Sequence, residues 1–153
     1  MQRALVMLVV GGCWSSSPAP APEPVHNTEL PGPLEVEALP QHTVWRGKYN
    51  CRQGVTALEL TIDVASNGAA NALFVFGPHE QNPNIPAGSY RMTGTVHEIG
   101  PKLQVRLAPL EWIDRPENYV MVGINADSDR ARHTLTGWIT DEGCSGVEVR
   151  RIR

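Results

Sequence analysis

Aromatic residues are scarce in this 153-residue chain, at 6%, and so is cysteine, at three residues. Lysine occurs only twice against eleven arginines, and charged residues reach just 19% with a formal net charge of −3. No run of basic residues is long enough for a nucleic-acid arm or a polybasic membrane patch. The longest apolar run, Ala4–Val10, would rise only about 10 Å as a helix. A bilayer span needs roughly 20 such residues. Catalytic templates are missing as well. His79-Glu80 opens like a zinc-protease helix, but Pro83 stands where the second histidine is required. There is no Gly-x-Ser-x-Gly elbow and no phosphate-binding glycine loop. Asn125, Asp127 and Asp129 lack the glycine and distant glutamate of a calcium loop. The chain is therefore expected to be a non-enzyme with no cofactor and no metal.

Three composition zones are present. Residues 1–12 carry Arg3, the short apolar run and Gly11-Gly12, which is the pattern of a secretory signal peptide. Val10-Gly11-Gly12-Cys13 resembles the bacterial lipobox, and that resemblance implies lipidation of Cys13 as the mature N-terminus. A plain signal peptide that happens to hold a cysteine is the alternative. Several acyl chains would anchor the protein firmly, where a single one binds marginally. Trp14 replaces the aspartate linked to inner-membrane retention, so the expected location is the cell envelope at the outer membrane, facing periplasm or surface.

Residues 13–44 form the second zone, with seven of the 13 prolines and the alternation Pro18-Ala19-Pro20-Ala21-Pro22-Glu23-Pro24. Proline fixes φ and lacks an N–H, so the segment favours extended polyproline II and reads as an acidic stalk. It would reach from roughly 30 Å as a coil to about 95 Å extended.

Residues 45–153 form the third zone, where the period becomes two from about Thr43. Trp45, Gly47, Tyr49 and Cys51 alternate with Arg46, Lys48, Asn50 and Arg52. Leu58, Leu60, Ile62 and Val64 repeat the pattern. Further strands are expected at Ala70–Gly77, Gly88–Glu98, Lys102–Pro109, Tyr119–Ala126, His133–Thr140 and Cys144–Ile152, separated by turn signals such as Asn67-Gly68 and Gly100-Pro101. The fold class is all-β: a small eight-stranded antiparallel meander barrel, or a two-sheet β-sandwich.

With Cys13 lipidated, Cys51 and Cys144 remain, and an oxidising compartment would join them. They end the first strand and begin the last, which are neighbours in a closed meander. Uninterrupted pairing would put Val147 and Val149 opposite Lys48 and Arg46 on the wet face. One extra residue near Ser145-Gly146 corrects the phase and sets Trp45 opposite Arg151. That pair resembles the closing contact of lipocalins and implies a cation–π lid on the core.

Loops after the odd-numbered strands share the end away from chain entry. The longest, Gly77–Ala87 and Ala108–Asn118, make a candidate binding rim of Trp112, Asp114, Arg115, Asn82 and Tyr119. Trp112 either offers a binding hot spot or folds inward to plug the mouth. Trp45, Tyr49, Phe74, Phe76, Tyr90 and Met92 are expected to fill the interior.

Trp45-x-Gly47-x-Tyr49-x-Cys51-x-Gln53-Gly54, the stretch from Pro109 to Gly123, and Gly143-Cys144 resemble an uncharacterised bacterial extracytoplasmic β-domain. Tyr49-Asn50-Cys51 with a C-terminal cysteine partner also resembles membrane-bound C-type lysozyme inhibitors, lipoproteins with an eight-stranded barrel. The expected function is a lipid-anchored, non-catalytic module binding an envelope protein or glycan through its distal loops. Inhibition of lysozyme-like hydrolases and carriage of a small apolar ligand are the alternatives. No nucleic-acid partner is expected.

Overall fold

The computed structural model describes residues 41–153. The expected signal peptide, Cys13 and the proline-rich alternation at 18–24 lie outside the described residues. Eight strands follow in order: β1 (His42–Cys51), β2 (Gly54–Val64), β3 (Ala69–Gly77), β4 (Gly88–Ile99), β5 (Lys102–Asp114), β6 (Ile124–Ser128), β7 (Thr134–Ile139) and β8 (Gly146–Arg151). Each pairs antiparallel with the next, and β8 returns to β1, so the sheet is a closed barrel and not a sandwich.

Two-residue alternation builds this barrel because successive side chains point to opposite faces. Trp45 and Tyr49 on β1, Leu60 on β2, Phe74 on β3, Tyr90 and Met92 on β4 and Val149 on β8 are all buried on the axis. Phe74 is wholly buried and stacks on Tyr90 with ring centres 4.6 Å apart. Burial of such a ring contributes about 1.5–3 kcal/mol. The interior is thus a packed core, as the sequence predicts.

Closure follows the expected register. Tyr49 pairs with Val147, Gly47 with Val149 and Trp45 with Arg151. The Cys51–Cys144 disulfide is present, one residue out of step with that ladder. The offset is absorbed at Ser145, whose amide donates to the Asn50 carbonyl (2.8 Å) and whose carbonyl accepts from Ile139 (3.1 Å). The cation–π lid is not formed. Among the described residues, cations lie over indoles at Arg106–Trp138 and Arg115–Trp112. Trp45 is only 1% exposed and its Nε1–H donates to Thr43 Oγ1 at 2.9 Å, so its polar edge is satisfied from within.

β1 begins at His42, three residues inside the span expected for the stalk, and the limits of β5, β6 and β8 also differ from expectation. β5 runs through Pro109 to Asp114 instead of stopping at the proline. Its pairing with β4 slips twice, leaving Leu110 and Ile113 as extra residues. Each bulge reverses the inside–outside phase, which hides the alternation from the sequence. β6 begins at Ile124, not Tyr119, because its ladder with β5 is confined to Leu107↔Ile124 through Gln104↔Asp127. β8 begins at Gly146, since Cys144 and Ser145 serve the bridge and the bulge.

Candidate functional site

Chain entry at β1 and exit from β8 share one end of the barrel. At the other end four connections meet: residues 52–53, 78–87, 115–123 and 140–145. They enclose a half-open cleft of about 460 Å³ at the barrel mouth. Tyr49, Phe76, Tyr90 and Val122 form its floor and the disulfide forms one wall, while Arg52, Gln53, Asn118, Tyr119, Val120 and Asp141 line it towards solvent. A volume of this size suits a small ligand or one or two protein side chains.

The floor is rigid. Phe76 stacks on Tyr119 (5.4 Å) and meets Trp112 edge-on (6.4 Å); Trp112 meets Tyr90 in the same way (5.2 Å). The Tyr90 hydroxyl donates to the Val122 carbonyl at 2.9 Å. Tyr49 Oη accepts from Gln53 Nε2 at 3.4 Å. Burial pushes the Tyr49 phenol up to about 12, against opposing hydrogen bonds from Thr56 and Gln53. Burial likewise drives Tyr90 upward, with its bond to Val122 opposing. Both phenols are therefore neutral at neutral pH. Among the described residues no three His, Cys, Asp or Glu side chains are grouped to hold a metal ion.

The candidate rim residues are brought to this end but play different parts. Trp112 lies on β5, not in a loop, and is half-buried against the core, with the Arg115 guanidinium 5.8 Å from its ring centre. The bulge at Leu110 turns it inward, where it packs on Phe76 and Tyr90. Asn82 ties its loop down: Nδ2 donates to the Gln53 carbonyl at 2.6 Å, and residues 79 and 82 exchange backbone bonds. Asp114 is exposed at the end of β5 opposite Ser89. Tyr119 lines the cleft directly, following Asn118 in the left-handed conformation (φ 62°). Trp45 and Arg151 sit at the opposite end and take no part.

Sequence reasoning missed Arg52, Gln53, Val120 and Asp141 as lining residues. The usable signal was their position: Arg52 and Gln53 directly follow one bridged cysteine, and Asp141 shortly precedes the other. Val120 is 66% exposed, an unusual state for a valine at the edge of an aromatic cleft. Comparison with protein-family models and with curated proteins finds no match for this chain.

Proposed function

We propose that this chain is a lipid-anchored, non-catalytic recognition module of the bacterial cell envelope that takes its partner at the barrel mouth. The observation that carries the reading is the half-open aromatic cleft at the end away from chain entry, its floor locked and its phenols kept neutral. An anchor at Cys13 and a stalk that ends before His42 would tether the barrel from its entry end, opposite the mouth. The Cys51–Cys144 bridge supports an oxidising compartment. Exposed Val120 beside Tyr119 suits an apolar side chain of a protein partner, and Arg52 and Asp141 supply polar contacts at the edge. Carriage of an apolar ligand is the weaker reading, because Trp45, Phe74, Tyr90 and Met92 occupy the axis where such a ligand would sit.

The test is crosslinked capture from envelope extract by the full chain carrying Cys13→Ser, run beside the same protein with Val120→Asp. Val120 is exposed, so the substitution leaves the core intact. A partner held by the parent and lost by the variant supports the mouth as the binding face. Equal capture by both, or none by either while both are folded, overturns it. Radiolabelled fatty acid incorporated by the wild type and not by Cys13→Ala checks the anchor.

A further inference from the structure

A second concave surface lies on the outer wall, apart from the mouth. Its volume is about 420 Å³, and it spans β7, β8 and β1. Gly146 and Gly137 form the floor; Asn50, Ser145, Thr136, Lys48 and Glu148 stand around it. Trp138, next to Gly137 in sequence and directly opposite Gly146 in the ladder, adjoins these two lining glycines and is 54% exposed. An indole this exposed on the outer face of a closed barrel contributes little to the core and leaves a ring face accessible.

The two glycines differ in a telling way. A side chain on Gly137 would run into the Asn125 carbonyl of β6, so close strand approach demands glycine there. A Cβ on Gly146 would meet only the Gly137 carbonyl oxygen at 3.7 Å, an ordinary contact, and its φ is not in the left-handed region. A strand glycine weakens the strand locally. Packing does not require one at 146, yet its bare backbone is what keeps the groove open beside the indole.

Supports around Trp138 are preorganised. The Arg106 guanidinium is held by the carbonyls of Val105 (2.8 Å) and Ala126 (3.0 Å) and by Asp127 (3.0 Å), and lies 5.9 Å from the indole centre. The groove side of Trp138 faces a glycine. Lys48 and Glu148 face each other in register and both line the groove, so its lining carries one charge of each sign. Asn50 and Ser145 add an amide and a hydroxyl, 3.3 Å apart. From β7 to β1 is two interstrand steps, about 10 Å.

We infer that this groove binds an uncharged oligosaccharide, with one sugar ring laid on Trp138 and its neighbours hydrogen-bonded over Gly146. A sugar has both an apolar C–H face for an indole and hydroxyls for the amide, hydroxyl, ammonium and carboxylate groups along the floor. Charge balance disfavours a polyanion. The groove lies outside the barrel beside the disulfide and shares only Tyr49 with the lining of the mouth.

Calorimetric titration of the full chain carrying Cys13→Ser with triacetylchitotriose and with cellotriose tests it. Binding of either sugar should weaken at least about tenfold in Trp138→Ala, as for an aromatic anchor, and in Gly146→Val, which fills the floor. It should be unchanged in Val120→Asp. Near-ultraviolet circular dichroism and thermal midpoint confirm that the variants are folded. No binding of either sugar up to about 10 mM overturns the inference. So does binding that survives Trp138→Ala and Gly146→Val, or that is lost in Val120→Asp, which would move the sugar to the mouth.

Discussion

The Tyr90 hydroxyl bonds both backbone groups of Val122: it donates to the carbonyl oxygen at 2.9 Å and accepts from the amide at 3.3 Å. One side chain thereby does what a partner strand does elsewhere. Beyond Leu107↔Ile124 the β5–β6 ladder stops; Gly123 still accepts from the Thr140 amide at 3.0 Å, but residues 119–122 approach the mouth outside any strand ladder. Tyr90, anchored on β4 and reaching across the core, closes that gap.

Tyr90→Phe keeps the ring stack on Phe74 and strips both bonds from a buried peptide group. The expected cost is about 1–3 kcal/mol, the penalty for an unsatisfied buried donor and acceptor. Urea denaturation measures it, and amide exchange should rise first at Val122 and Gly123. A loss below about 0.5 kcal/mol would mean that water replaces the hydroxyl and that the mouth is wetter than its packing implies.

Strand order, closure and the one-residue offset at the bridge were legible because alternation and two cysteines over-determine them. Val147 and Val149 can face the core only if an extra residue precedes them, and the ladder obeys. Trp112 was harder. Two bulges in β5 each shift phase, so a strand through Pro109 loses its alternation and looks like a loop. Tyr119–Gly123 misled in the opposite direction: Tyr119-Val120-Met121-Val122 is an apolar, strand-prone run, but the bulged end of β5 offers it no ladder. Trp138 was read only as part of a strand. Its phase, shared with exposed Thr136 and opposite Gly146, was the signal for an outward indole.

The disulfide joins residues 93 apart in sequence and ties the six-residue β8 to β1. Constraining a loop of this length should stabilise the fold by about 2–5 kcal/mol. Cys51→Ser with Cys144→Ser should therefore lose that free energy in urea denaturation, with a lower midpoint and a steeper slope, because the unbridged unfolded chain exposes more surface. The bridge also walls the cleft, so partner capture should fall even where the double variant remains folded. Undiminished capture would show that the cleft does not depend on this wall.

Alkaline stability is set by the two buried phenols. Burial raises Tyr49 from its ordinary 10.0 to about 12 and raises Tyr90 also. Between those values the unfolded chain releases protons that the folded chain retains. Stability is then complete below about pH 10 and falls as pH climbs through 12. Tyr49→Phe should flatten this loss between pH 10 and 12, read from denaturation midpoints. An unchanged slope would mean that Tyr49 is open to solvent in the folded protein.

Gly94 on β4 lies where the barrel coils most tightly against β5. A Cβ there would strike the Arg106 carbonyl oxygen and crowd the Leu107 Cα, both backbone atoms of a strand fixed on each side. No rotamer relieves such a clash, so Gly94→Ala must open the β4–β5 ladder or unfold the domain. A cost of about 3 kcal/mol or more is expected, at or beyond the upper end of ordinary overpacking. Gly146→Ala is the matched control: its new methyl meets only an ordinary contact, and stability should hold within about 0.5 kcal/mol. Urea denaturation of the pair separates glycine needed for strand approach from glycine that keeps a surface open. If Gly146→Ala were as damaging as Gly94→Ala, the bare floor of the outer groove would be a requirement of the fold and no longer a sign of a ligand.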